Sequence, residues 1–167
     1  MNALPLVVAL VALSRLAELA WAARNARNLR ARGAVEHGAA HYPLFILLHA
    51  AWLGSLLLFV PWDAPVVWPF LALVIALQFF RLWVIWSLGP YWTTRVFTVA
   101  DEKLVRRGPY RWLDHPNYLG VVAEIAALPL AFGAWSIALV FSLLNAALVF
   151  WRIRVEDRAL RIRRALG

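Results

Sequence analysis

The chemistry-bearing residues of this chain fall in two places. The first is the run Gly108-Pro109-Tyr110-Arg111-Trp112-Leu113-Asp114-His115-Pro116-Asn117-Tyr118. Proline lacks the N–H donor and disfavours helix in the residue before it, so two prolines and a glycine this close make turns rather than helix interior. A polar, turn-rich segment between two apolar blocks is suited to holding a ligand. The second place is Arg152 and Glu156, four residues apart at the end of the last apolar block. That spacing puts them on one helical face. Alone they read as a surface ion pair worth under ~1 kcal/mol. On the same side of a bundle as the 108–118 run, they read as the other half of one site.

Further polar groups sit in apolar surroundings. Arg15 and Glu18 are three apart and can pair on one helical face. Arg81 and Glu124 belong to different apolar segments and could pair across helices or line a cavity. His37, His41 and His49 follow one another with Glu36 adjacent. A histidine pair at i, i+4 can bind metal on a helix. Here Gly33, Gly38 and Pro43 argue against a regular helix, so no metal site is expected and a solvated or gating loop is the simpler reading.

The elements that must position these groups are membrane spans. The chain has 167 residues, 63% of them hydrophobic, with mean hydropathy +0.69. A span needs ~20 mostly apolar residues. Residues 3–23, 43–60 and 67–88 qualify. Residues 119–151 form one apolar block broken near Phe132-Gly133-Ala134, read as a hairpin of helices over 119–132 and 134–151. The fold class is therefore all-α, a polytopic membrane protein of about five helices in a single domain. Its first 88 residues hold three spans, and residues 89–167 hold the chemistry. The apolar N-terminal segment continues into a Trp- and Arg-rich stretch, not a small-residue cleavage site, so it reads as a span and not a signal peptide.

Of the 17 basic residues, all but Arg15 and Arg81 lie in 24–41, 89–118 and the tail. By the positive-inside rule these segments are cytoplasmic, the N-terminus is outside and the C-terminus inside. A bacterial inner membrane with a cytoplasm-facing site is the expected location. Trp62, Trp68, Trp92 and Trp112 fall near expected interfaces, where indoles are favoured. The net charge of +8 follows from these loops, and no nucleic-acid module is visible. The absence of cysteine excludes disulfides, thiolate nucleophiles and Cys-based metal sites. The expected partners are the bilayer and a lipophilic small molecule.

Leu104-Val105, Gly108-Pro109-Tyr110, His115-Pro116-Asn117-Tyr118, an apolar hairpin and Arg152-x-x-x-Glu156-Asp157 together resemble the isoprenylcysteine carboxyl methyltransferase family over roughly residues 89–160. These are integral membrane enzymes that use S-adenosylmethionine. Gly33-Ala34-Val35-Glu36 with His41-Tyr42-Pro43 and His49 is similar to a bacterial subgroup associated with O-methylation of alkylpyrones and alkylresorcinols.

The resemblance implies that Glu102, Lys103, Leu104, Val105, Tyr110, His115, Pro116, Asn117, Tyr118 and Glu156 hold the cofactor. It places Arg152 at the substrate's reacting group, so the implied catalytic residues are Arg152 and Glu156. The chain departs from the pattern at Asp114, where a basic residue is usual. With no Gly-rich turn of a Rossmann-like sheet in the sequence, helix ends and loop backbone must hold the cofactor. Free N–H groups of the turns can bond its carboxylate or adenine edge. Aromatic rings can stack on adenine or lie over the sulfonium. A carboxylate acceptor would be positioned by Arg152 through paired bonds. A phenol or hydroxypyrone may need a base, and Glu156 or His115 is then the candidate. Other readings are phospholipid N-methylation, sterol-type reduction, and a non-catalytic transporter or scaffold.

Overall fold

The computed structural model describes residues 2–99 and 104–165, with the side chains of His41 and of residues 161–165 outside the description. Five α-helices dominate: α1 (Ala3–Ala31), α2 (Tyr42–Phe59), α3 (Trp68–Leu88), α4 (Pro116–Leu130) and α5 (Trp135–Ala165). Two three-residue strands, β1 (Val35–His37) and β2 (Val96–Thr98), pair antiparallel. The chain is an all-α polytopic membrane protein, and four helices are long and apolar enough to cross a bilayer.

Helix lengths follow from composition. With 29 and 31 residues, α1 and α5 reach ~45 Å at 1.5 Å per residue, more than a ~30 Å hydrocarbon core requires. Their arginine-rich ends therefore extend beyond the apolar spans. Helix α4 has only 15 residues, about 22 Å. It begins earlier than its apolar block because Pro116 occupies the first turn, where a missing N–H costs nothing. Buried residues on several sides of it, including Val121, Glu124, Ile125 and Leu128, mark it as the central helix. It packs chiefly against α3 and α5. Gly120 brings it close to the Phe80 ring, 3.4 Å from where a Cβ would stand. The α4–α5 turn closes through Gly133 at φ 69°, and the Ala131 carbonyl accepts from the Val67 N–H at 2.9 Å.

One apolar core runs through the bundle. Leu4 and Val8 of α1, Leu56 of α2, Val74 of α3 and Leu128 of α4 belong to it. The outer face is also apolar: Leu58, Phe59, Trp68 and Trp86 are largely exposed, as suits lipid contact. Trp62 and Trp112 are exposed too, but Trp92 is buried against Ala22 and Ile85. The expected interfacial role of Trp92 is thus corrected: it is a packing residue. The Asn25 amide donates to the Gly89 and Trp92 carbonyls at 3.0 and 2.8 Å and fixes the turn around it.

The charges inside the bundle pair with one another, although Arg15 Nε and Arg81 Nη1 are buried without a hydrogen bond among the described residues. Arg81 of α3 donates to Glu18 of α1 from Nε at 2.8 and 2.9 Å and from Nη2 at 2.6 Å. Arg15 donates to Glu18 at 3.1 Å, to Gln78 at 2.8 Å and to Glu124 of α4 at 3.4 Å. The Gln78 amide donates to Glu124 at 2.9 Å. Two cations and two anions thus tie three helices into a net-neutral network. Removing one member leaves an uncompensated charge, which costs ~3–5 kcal/mol for buried pairs. Glu18→Gln is accordingly expected to lower the thermal unfolding midpoint of the detergent-purified protein by several degrees; an unchanged midpoint would contradict the network's structural role.

Candidate functional site

The site forms where the first turn of α4 meets the arginine-rich C-terminal part of α5. Gly108 sets the approach. Its φ is +56°, and a Cβ there would stand 2.0 Å from Ser87 Oγ and 2.9 Å from Ser87 Cβ, so the 108–111 turn lies flush on the last turn of α3. Arg107 Nε donates to the Ser87 carbonyl at 2.6 Å and holds it there. Pro109 and Pro116 are both buried. The turn so anchored delivers His115 and Tyr118 to α5.

On α5, Arg152 and Glu156 share a face as the spacing predicts, but they do not pair directly. The Tyr118 hydroxyl lies between them. Arg152 Nε donates to Tyr118 Oη at 2.8 Å, and Tyr118 Oη donates in turn to Glu156 Oε2. The surface-pair reading fails because Arg152 is buried, 8% exposed. Arg152 Nη2 donates to the Thr94 carbonyl at 2.8 Å, and the guanidinium lies over the Phe45 ring at 5.3 Å. Its Nη1 has no hydrogen-bond partner among the described residues. His115 stacks on Tyr118 with ring centroids 5.4 Å apart. Its Nε2 is 3.1 Å from Asp157 Oδ1, while Nδ1 is buried without a hydrogen bond, 3.9 Å from Glu156 Oε2.

Two cavities open onto this cluster. The first, about 160 Å³, is walled by the β2 segment, the 104–118 turns and α5, with Leu104, Val105, Tyr110, His115, Asn117 and Glu156 among its lining. The second, about 310 Å³ and mainly apolar, lies between α1, α2, α4 and α5. Asn117, Tyr118 and Arg152 line both. Burial, and next the negative charge of Glu156, push the Tyr110 hydroxyl well above its ordinary pKa, against the opposing pull of Arg81. It therefore remains a donor at neutral pH.

The structure thus brings Leu104, Val105, Tyr110, His115, Asn117, Tyr118, Arg152 and Glu156 together. Pro116 is not in the lining of either cavity and serves as the start of α4. Glu102 and Lys103 lie outside the described residues. Asp114, which replaces the usual basic residue, lines the first cavity.

Some participants were not legible as such. Thr94 contributes only a carbonyl, for which sequence carries no signal. Phe45 did have one: Tyr42, Phe45, Ile46, His49 and Leu53 follow helical spacing, and all five line the second cavity. The pairing of β1 with β2 is too short for a periodicity to report. It places His37 in a strand, with Nε2 2.8 Å from Thr98 Oγ1, so the irregular backbone expected around the histidines is observed at His37 and His41, whereas His49 lies within the regular helix α2.

The fold and site define a bundle of membrane-length helices in which two cavities, one of them mainly apolar, share the wall of Asn117, Tyr118 and Arg152. Residues 70–162 match the isoprenylcysteine carboxyl methyltransferase (ICMT) family, and the chain belongs to it. The match takes in α3 to α5 and extends into α3 beyond the motifs that carried the resemblance. Among relatives, the "Uncharacterized protein YpbQ" of Bacillus subtilis (strain 168) is 38% identical over 137 residues, covering 80% of this chain and 82% of its own. An "Uncharacterized protein" of Haemophilus influenzae (strain ATCC 51907 / DSM 11121 / KW20 / Rd) is 25% identical over 140 residues, 79% of this chain and 80% of its own. No solved structure matches the chain significantly.

Strand β2 lines the first cavity, and the β1–β2 ribbon is pinned by Glu36, which accepts from Arg95 at 2.5 Å and Arg30 at 2.6 Å. Burial alone would raise the Glu36 pKa, but the hydrogen bonds and charges of Arg95 and Arg30 together hold it below the ordinary 4.5. A depressed carboxylate stabilises the fold above its unfolded pKa and loses that contribution as pH falls through the folded value. Glu36→Gln should therefore lower the unfolding midpoint at pH 6, and the difference from the native protein should shrink as the pH falls below the ordinary 4.5. A difference that persists unchanged at pH 3 would contradict the ion-pair origin.

Proposed function

We propose that the protein is an S-adenosylmethionine-dependent O-methyltransferase whose acceptor is a carboxylate or hydroxyl of a membrane lipid, of the prenylcysteine or the alkylpyrone and alkylresorcinol kind. One observation carries this reading: Arg152, Tyr118 and Asn117 form the wall common to the polar and the apolar cavity. A group held in one cavity can there meet a group held in the other.

The first cavity fits the cofactor. It has three buried polar atoms without hydrogen bonds, Trp92 Nε1, His115 Nδ1 and Asn117 Oδ1, on described residues of its lining. Buried polar atoms left unmade are costly, and a polar ligand would satisfy them. Glu156 can accept from an amino or ribose group, and the protonated Tyr110 can donate. Trp92 and Tyr91 add aromatic wall. When bound, S-adenosylmethionine supplies a methyl group on a positively charged sulfur.

The chain's own task is orientation, which is the main demand of an in-line displacement. Arg152 enters already held by Tyr118 and Thr94, so its Nη1 can steady an acceptor oxygen without further ordering. A fixed guanidinium repels a protonated amine, and this favours oxygen over phospholipid nitrogen as acceptor. The apolar cavity takes the lipid tail from the side and excludes water from the reacting oxygen. With the basic helix ends in the cytoplasm, a bacterial inner membrane would present the first cavity to soluble cofactor.

Calorimetric titration with S-adenosylmethionine, paired with turnover on lipid extracts, tests this. Arg152→Ala should reduce turnover by at least ~100-fold, as loss of a transition-state contact does, while the cofactor affinity changes only a few-fold. Loss of both would move Arg152 into the cofactor site. No cofactor binding by the native protein would overturn the proposal in favour of a transporter or scaffold.

A further inference from the structure

The apolar cavity contains a polar group used neither by the methyl-transfer site nor by the ion-pair network. His49 of α2 lines it together with Arg15, Glu18 and Arg81. Its Nδ1 is 2.8 Å from the Phe45 carbonyl oxygen. A carbonyl only accepts, so Nδ1 carries the hydrogen. A neutral ring with its proton there presents a bare lone pair at Nε2.

Nothing among the described residues hydrogen-bonds to Nε2. The carboxylate that shares the cavity, Glu18, is already taken by Arg81 and Arg15. Glu124, across the network, is bonded by Gln78 and Arg15. The ring is held edge-on against Trp52, with centroids 6.1 Å apart and an interplanar angle of 84°. His49 is thus an oriented acceptor without a donor in a mostly apolar cavity.

Its depth is fixed by the helix. Phe45, one turn earlier, lies under the Arg152 guanidinium. His49 therefore stands about 6 Å further along α2 than the residue that touches the shared wall, at 1.5 Å per residue.

We propose that His49 is a specificity-determining residue: its Nε2 accepts a hydrogen bond from an O–H of the lipid substrate, one helical turn along α2 from the residue that touches Arg152. This deepens the reading given above and rests on it for the reacting oxygen. The substrate class it selects is a long-chain lipid that carries a hydroxyl besides the oxygen presented at Arg152. A carbonyl, an ether or a carboxylate in place of that hydroxyl offers no hydrogen, and each would face the Nε2 lone pair unpaired. A buried acceptor left unmade discriminates strongly against an analogue that lacks the donor.

The test uses the full chain in lipid nanodiscs, without cofactor. The probes are 5-pentadecylresorcinol and its dimethyl ether, with affinities read by calorimetry. The native protein should bind the resorcinol roughly tenfold tighter than the ether, as one good hydrogen bond provides. His49→Phe should bring that ratio to near one. His49→Gln, whose side-chain carbonyl can still accept, should retain much of it. Cofactor affinity, measured on all three proteins, reports that each is folded. A native-like ratio in folded His49→Phe would overturn the proposal, as would equal binding of both probes by the native protein. A His49-dependent ratio in a protein that transfers no methyl group would sustain the His49 assignment and sink the methyltransferase reading. Methyl transfer with no His49-dependent ratio would do the reverse.

Discussion

Charges inside hydrocarbon must find partners within the protein, because no water is there to solvate them. In this chain that requirement falls on Arg15, Glu18, Arg81 and Glu124, with Gln78 bridging. Their mutual pairing fixes α1, α3 and α4 against one another. Helix α4 is too short to be anchored at both faces of a membrane, so its depth depends on this network and on the hairpin behind it. The depth of α4 in turn decides where Tyr118 meets α5. The network also supplies the polar floor of the apolar cavity, through Arg15, Glu18 and Arg81.

Helix α5 connects the bilayer to the site. One uninterrupted helix carries the apolar lining residue Val149 and, a few residues on, Arg152 and Glu156. A rigid element gives better positional control than a loop. The tyrosine hydroxyl between Arg152 and Glu156 keeps the two charges from collapsing onto each other. Each keeps a direction of its own: the guanidinium lies at the common wall, and the carboxylate lines the polar cavity alone. The loop elements are held by point contacts instead, through Gly108 on Ser87, Arg107 on the Ser87 carbonyl and Asn25 on the Trp92 carbonyl.

Much of this was legible in the sequence, for identifiable reasons. Apolar runs of the right length placed α2, α3 and α4 to within a few residues, since hydropathy is strong in membrane proteins, while α1 and α5 run on past their apolar spans as Arg-rich helix that hydropathy does not report. The proline-rich run and the Arg152–Glu156 spacing pointed to the site because both signals are local. Contacts distant in sequence were hidden. Nothing local tells that Arg81 reaches Glu18, that the Thr94 carbonyl takes Arg152, or that Val35–His37 pairs with Val96–Thr98. Trp92 shows the opposite error, in which composition suggests an interface and packing makes a core. His49 was visible as a residue, but the hydrogen on Nδ1 that gives it meaning depends on the helix.

The central claim is that the common wall of Arg152, Tyr118 and Asn117 is where a methyl group passes to a lipid oxygen. Incubating the full chain in nanodiscs with methyl-labelled S-adenosylmethionine and a hydroxylated long-chain lipid, followed by mass analysis of the lipid, tests it most directly. The expected result is label on a single lipid oxygen, absent with Arg152→Ala. Cofactor binding without label in any hydroxylated or carboxylated lipid would contradict it.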